Sequence, residues 1–268
     1  NLWAYGMGTT ISGQSVSNAD LRGGPSIRYP GQQEYWAYIG SNYQKKLTFE
    51  LNPWMLHGGH DFYTGFGVSL WMRYQPTDAL NISVAPSVNS NKNALQYVDS
   101  YQSGGFNEYV LGNIDQVTYS ASLRVNYIVT PNLSIEYWGQ PFMSRGEYDD
   151  FKRVVSPNAS EYGQRYVSYS SAQISHSSES NSYLIDHDFD GQTDYELNDP
   201  NFNFMQFRSN FVVRWEYVPG STLFLVWTSS ASEFHNSRDN HFRDLTTDLR
   251  QAEGTNIFLI KYTYRFIL

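Results

Sequence analysis

The stretch NIFLIKYTYRFIL, residues 256–268, divides cleanly when counted by twos: Phe258, Ile260, Tyr262, Tyr264, Phe266 and Leu268 fall on one side, Lys261, Thr263 and Arg265 on the other. Successive side chains of an extended strand point to opposite faces, so this segment predicts a strand with one apolar and one polar face. The same period governs QVTYSASLRVNYIVTPN (116–132), where Val117, Tyr119, Ala121, Leu123, Val125, Tyr127 and Val129 alternate with Thr118, Ser120, Ser122, Arg124 and Asn126. It returns in FMQFRSNFVVRWEYVPG (204–220), and further strands are expected over 35–43, 47–55, 62–74, 80–88 and 133–142, with weaker ones near 1–10 and 21–30. Helical periodicity is convincing nowhere. The expected fold class is all-β and antiparallel.

Aromatic residues make up 17% of the 268 residues, yet no apolar run approaches the ~18 residues that a membrane-spanning helix needs. There are no cysteines, which removes disulfides and thiolate metal sites. A net charge of -8 without basic clusters argues against a nucleic-acid partner. The opening NLWAYGMGTT has no initiator Met and already reads as strand, so the expectation is a chain excised from a longer precursor. Residues 1–268 are read as a single domain.

The connections between strands sort into two kinds. Short turns at 75–79, 130–132 and 218–220 are rich in Pro, Asn, Asp and Gly, while long polar connections are expected at 89–116, 143–203 and 231–255. Alternation of the two in an antiparallel meander puts all short turns at one end. Short periplasmic turns and long extracellular loops are the pattern of outer-membrane barrels. The reading is therefore an up-and-down transmembrane β-barrel, the C-terminal portion of a larger one, in the outer membrane of a Gram-negative bacterium, its apolar face in lipid. About eleven strands are countable, and barrels of this kind use even numbers, so further strands are expected to complete it. The polar face, carrying Glu50, Arg73, Arg124, Glu136, Arg208, Arg214, Glu216, Lys261 and Arg265, then points into the lumen. Trp36, Tyr38, Trp71 and Trp138 on that face take up further volume, and the lumen is expected to be plugged or narrow, held by pairing of Arg with Glu. A soluble secreted glycan-binding β-sandwich, whose apolar faces meet each other, is the alternative architecture.

Four segments in this order, LRGGPSIRYPG (21–31), TPNLSIEYWGQPFMSRGEYDDFK (130–152), DPNFNFMQFRSNFVVRWEYVPGSTLFLVW (199–227) and NIFLIKYTYRF (256–266), resemble the C-terminal part of the domain of unknown function 5916 family. The resemblance implies an outer-membrane barrel and names no reaction. Members usually carry an N-terminal carbohydrate-binding-like domain, which has no counterpart here. The closing YTYRFIL resembles the aromatic C-terminal signal of barrel proteins, with Leu268 in place of the terminal aromatic.

The sharpest chemical motif is DHDFDGQTDYE (186–196). Asp186, Asp188, Asp190 and Asp194 occupy positions 1, 3, 5 and 9 of a calcium loop, Gln192 offers a backbone carbonyl, and Gly191 supplies the turn. Position 12 is Leu197 rather than the bidentate Glu, with Glu196 one place early, so two readings stand: a Ca²⁺-binding loop without flanking helices, or a solvated acidic tip. His57, His60 and Asp61, with Ser69 on the next strand, and His235, Asp239 and His241 are the residues a hydrolase would use. Neither set has a defined third ligand or base, and no nucleophile or phosphate-loop motif is present. The expected role is non-enzymatic: structural, binding or transport, with lipid and other surface proteins or glycans as partners; an outer-membrane hydrolase is the alternative.

Overall fold

The computed structural model describes residues 2–235, 252 and 254–266. Sixteen strands are defined among them, and no helix longer than a single 3-10 turn. In chain order they are β1 (Ala4–Ser12), β2 (Ser15–Ser17), β3 (Ile27–Tyr29), β4 (Gln32–Gly40), β5 (Leu47–Gly58), β6 (Tyr63–Thr77), β7 (Leu80–Ser103) and β8 (Phe106–Thr130). There follow β9 (Leu133–Val154), β10 (Tyr166–Ser168), β11 (Ile174–Ser177), β12 (Ser182–Ile185), β13 (Tyr195–Asn198), β14 (Phe202–Val218), β15 (Ser221–His235) and β16 (Gly254–Thr263). One antiparallel sheet runs β1-β4-β5-β6-β7-β8-β9-β14-β15-β16, and β10 lengthens β9 at its far end. Among the described residues no ladder joins β16 to β1, so both are free edges.

The short turns stand where the sequence puts them. Two residues each link Thr77 to Leu80, Thr130 to Leu133 and Val218 to Ser221, with Gly220 at φ 82° in the last. The long connections differ from expectation. Residues 89–116 are not a loop: β7 and β8 continue as a hairpin of 24 and 25 residues, closed by Gly104 and Gly105 at φ 58° and 84°. Positive φ at both central residues is the two-residue turn whose twist suits a hairpin, and only glycine takes it without strain. Bulges between Asn93 and Gln96 and between Tyr97 and Asp99 shift which face the following residues of β7 occupy, so a strict count by twos loses the strand there. Residues 143–154 are likewise strand, and 21–30 supply only the short β3, paired with β2, rather than a strand of the main sheet. The main path has ten strands, and β10 beside β9 brings the sheet to the eleven expected, though 21–30 is not among them. The expected loop at 231–255 begins with the end of β15 and otherwise lies largely outside the described residues.

Register assigns the two faces. Directly opposed residues share a face, and the row Tyr74, Ile82, Val125, Tyr137, Phe211, Trp227, Phe258 crosses seven strands without a polar group other than the tyrosine hydroxyls and the indole N–H. The row Leu70, Ala121, Pro141, Phe207, Ala231 lies on the same side by alternation. Pro86 and Pro141 leave gaps in the ladders they face, since proline has no N–H to give. On β8 the charge-free part of the apolar face runs from Tyr119 to Tyr127, eight steps and about 27 Å of strand. At the next position on that face Arg145, paired with Glu147 at 3.4 Å, stands opposite Val117, and beyond it Lys92 pairs with Asp115 at 2.7 Å.

Beyond that charged belt the β7–β9 extension is covered on both sides. Leu111 packs with Leu21, Ile27, Phe62, Leu95 and Val154 beneath the 13–31 excursion. Val110 and Phe151 pack with Ile185 and Leu197 of the small β11-β12-β13 sheet.

Candidate functional site: the polar face and the cap above it

The expected polar face is one face. Glu50 stands opposite Trp71, Arg73 opposite Thr48 and Ser83, Ser83 opposite Arg124, and Arg124 opposite Trp138. Glu136 opposes Asn126 and Val212, Arg208 opposes Gln140 and Ser230, Arg214 opposes Ser134 and Phe224, Glu216 opposes Thr222, and Lys261 opposes Phe224. Arg265 follows Lys261 and Thr263 on the same alternation, its side chain lying against Gly220.

The expected network of ion pairs is replaced by something else. Among the described residues these nine supply a single ion pair, Arg214 with Glu216 at 3.6 Å. The reason is register: Arg and Glu of neighbouring strands are not set opposite one another. Aromatic rings take their place. Arg124 lies 5.9 Å from the centre of Trp138 and Lys261 5.9 Å from that of Phe224. Arg73 donates to the Tyr43 carbonyl at 3.3 Å, and Glu50 accepts from Asn52 at 3.1 Å. Trp36, Tyr38, Trp54 and Trp71 are on this face too, and the first three lie flat over glycines. A Cβ added to Gly6 would stand 2.5 Å from the Tyr38 ring, and one on Gly67 2.2 Å from Trp54 Nε1. Glycine is required there by close approach, and the ring covers the backbone it exposes.

Above the belt the cap is held by buried polar side chains. Lys152, 2% exposed, donates to Asn113 at 2.8 Å and pairs with Asp150 at 2.8 Å. Arg165, 1% exposed, donates to the carbonyls of Ala159, Arg28 and Ser160 at 2.9, 3.0 and 3.1 Å, tying the 13–31 excursion to the segment after β9. Tyr195 donates to Asp99, stacks on Tyr101 at 4.2 Å, and Tyr101 shares a hydrogen bond with Tyr169 at 3.1 Å. Burial, reinforced by these hydrogen bonds, pushes the Tyr169 and Tyr195 hydroxyls well above the ordinary range. They serve as structural pins.

The acidic loop is partly assembled. One carboxylate oxygen from each of Asp186, Asp188 and Asp194 lies within 4.8 Å of the others. Asp186 also accepts from the Gly191 N–H at 2.9 Å, and its Oδ1 is buried without a hydrogen-bond partner. Asp190 instead accepts from the Gln192 N–H at 2.8 Å and does not belong to the convergent group of carboxylates. Among the described residues the histidines do not assemble a catalytic set. His57 approaches Asp61 at 3.6 Å in the open, His60 stacks on Tyr162, and Ser69 sits on the polar face opposite Asn52, away from His57 opposite Thr64. His235 lies 3.8 Å from Glu233, while Asp239 and His241 lie outside the described residues.

Sequence reasoning overlooked two features. One is the buried pair Lys152 and Arg165, which long charged side chains in a polar stretch do not advertise. The other is a polar cavity of about 340 Å³ between the 13–31 excursion and β7, for which Arg22-Gly23-Gly24 was the available signal of an unusual backbone. On the apolar face, by contrast, a depression of about 520 Å³ around Pro86, Ala121 and Pro141 offers nearly no polar group and hence no chemistry.

The model of one protein family, described as Domain of unknown function (DUF5916), matches residues 2–267. No curated protein matches the chain.

Proposed function

The chain belongs to the DUF5916 family, and from that premise we propose that it is a non-enzymatic wall of an outer-membrane β-barrel in a Gram-negative bacterium, with a structural, binding or transport role. The observation that carries this reading is the charge-free apolar face. From Tyr119 to Tyr127 on β8, and over the matching positions of β7, β9 and β14, it holds no Asp, Glu, Lys or Arg; the belt of Arg145, Glu147, Lys92 and Asp115 begins at the next position, where Arg145 stands opposite Val117, and on β15 Glu233 closes the row of Tyr119. About 27 Å of strand, tilted by the 35–45° usual in barrels, rises about 19–22 Å, a little under the ~25 Å apolar band of such proteins. Tyr74, Tyr127, Trp215 and Tyr262 near the turn end suit the headgroup level.

A sandwich would need an equal apolar face to cover this one. Many of its aromatic and aliphatic side chains are instead open to the surroundings, Tyr119 and Tyr127 at 40% and 41% on β8 and Phe258 and Ile260 at 75% and 72% on the edge strand β16, and most of the others are half-buried. In hydrocarbon an unpaired strand edge is untenable, because its N–H and C=O groups find no partner. The free edges of β1 and β16 are therefore read as joined by further strands, which makes this the C-terminal part of a larger barrel. The lumen is narrow or plugged: six aromatic or cationic side chains, Trp36, Trp54, Trp71, Trp138, Arg124 and Arg208, lean over the polar face. A calcium ion at Asp186, Asp188 and Asp194 is the second reading for the acidic loop, favoured by the unpartnered, buried Asp186 Oδ1 and by three carboxylates whose repulsion a cation would relieve.

The test is expression from the complete reading frame followed by fractionation. The expected product pellets with outer membranes and migrates faster in gels before boiling than after. A freely soluble product whose mobility does not depend on boiling would end the membrane reading.

A further inference from the structure

The cavity on the loop side has the makings of a binding site. Its walls are Asp20, Arg22 and Tyr29 from the 13–31 excursion, and Asn93, Gln96 and Tyr97 from β7. The first bulge of β7 falls between Asn93 and Gln96 and the second begins at Tyr97, so the departure from regular strand is what brings these side chains together. Behind them Leu21 and Leu95, 1% and 2% exposed, anchor both walls in one apolar cluster. The frame is thus fixed by packing, and the polar ends meet one another through hydrogen bonds a ligand would exchange: Asn93 donates to Gln96 at 3.4 Å and accepts from the Leu95 N–H at 3.0 Å, and Gln96 donates to the Tyr97 carbonyl at 3.5 Å. Arg22 is held at φ 46°, a conformation that side-chain-bearing residues avoid, and its guanidinium lies 4.9 Å from the centre of the Tyr97 ring. Local strain of this kind persists only when the surroundings impose it, and it clusters where a side chain must be aimed.

Charge selects the class of ligand. Asp20 and Arg22 line the same cavity, two residues apart, yet no ion pair joins them; the ion pairs of the described residues lie elsewhere. Their charges cancel, so a ligand of net charge gains nothing from the pair as a whole. Asp20 accepts hydrogen bonds, Arg22 donates them, and the Asn93 and Gln96 amides do both. Hydroxyl groups, each a donor and an acceptor, match that mixture. Asp20 and Tyr29 are also the shared wall of an adjoining cavity of about 430 Å³ that reaches Ser12, Ser15 and Gln32, so the trough is longer than a single compartment. Both lobes fall within the ~300–1,000 Å³ usual for small-molecule sites. We propose that this trough binds a short neutral oligosaccharide, with Asp20, Arg22, Asn93 and Gln96 reading its hydroxyl groups.

The experiment is calorimetric titration of the full chain in detergent with maltotriose, cellotriose and chitotriose, and with glycylglycine as a zwitterion that would also match one Asp and one Arg. At least one trisaccharide should bind saturably, with affinity lowered about tenfold or more in Asp20→Asn and in Gln96→Ala. Both positions reach solvent, so unchanged melting of both variants is expected and separates lost recognition from lost fold. Absence of saturable binding by all three sugars, parent-like affinity in both variants, or binding of glycylglycine alone would overturn the assignment. None of these outcomes depends on whether the sheet lies in lipid, which fractionation tests separately.

Discussion

Arg165→Met should open the cap without unfolding the sheet. The guanidinium makes three hydrogen bonds to backbone carbonyls, one of them to Arg28, 137 positions away, and it lies 5.4 Å from the Tyr162 ring centre. Hydrogen bonds from a charged group contribute about 1.5–3 kcal/mol each, so the gross loss is about 4.5–9 kcal/mol. Ala159 and Ser160 are in an open loop and can turn their carbonyls to water, which leaves a net cost of about 3 kcal/mol, concentrated at the Arg28 contact. That amount corresponds to roughly 150-fold in a local opening equilibrium. The assay is amide hydrogen exchange at Arg28, whose N–H donates to Pro157 at 3.0 Å, and at Val155, whose N–H donates to the Arg165 carbonyl at 3.0 Å. Protection at both should fall about a hundredfold, while Tyr119 and Val125 in β8 keep theirs. Arg165→Lys, which keeps the charge and loses the fork, should fall between. A change under about fivefold at Arg28, or an equal loss across β8, would refute the assignment of Arg165 as a local clasp.

Three further outcomes are expected. The Asp150 carboxyl meets opposing influences, burial raising its pKa, and the Lys152 hydrogen bond and charge, which prevail, holding it below the usual value; its stabilising contribution is present above the unfolded pKa of about 4 and lost as pH falls through the lower folded value. Exchange near Lys152 and Tyr166 should therefore quicken below about pH 4, and Asp150→Asn should remove that dependence. Calcium titration of a fluorophore in the 186–196 loop should saturate in the parent and not in Asp186→Asn with Asp194→Asn, whereas equal responses would leave a solvated acidic tip. In planar bilayers the complete barrel should show small or absent conductance; large, stable, ohmic steps would replace the narrow lumen by an open pore.

What was legible in the sequence follows from period and turn chemistry. Strands such as 117–127 alternate over a whole crossing, and 205–217 does so except at Ser209 and Val212; one residue of slip would invert every side chain, so their faces could be read directly. Pro-Asn at 131–132 and Pro-Gly at 219–220 marked the tight turns for equally local reasons. The 89–116 hairpin was not legible, because its bulges shift the parity and both its sides are covered by the cap, leaving no apolar face to count. Ion pairing on the polar face was misread because composition says which charges share a face, but register says which are opposite: Arg124 meets Trp138, and Glu136 meets Asn126. Of the acidic loop, positions 1, 3 and 9 converge while Asp190 turns to the Gln192 N–H, a choice that spacing alone cannot express. The cavity around Asp20 and Asn93 joins segments some 70 residues apart through a bulge, and only the fold brings them together.

Lipid contact on one face of β8 is the central claim, and neighbouring residues test it. With a single cysteine at Leu123 or at Ser122, each carrying an environment-sensitive fluorophore, the complete barrel is refolded into vesicles whose lipids bear nitroxides on their acyl chains. Leu123 lies on the charge-free face with Val125 and Ala121, and Ser122 on the polar face with Arg124. The account predicts strong quenching and a blue-shifted emission at Leu123, with little quenching at Ser122. Equal quenching at both sites, or stronger quenching at Ser122, would contradict it.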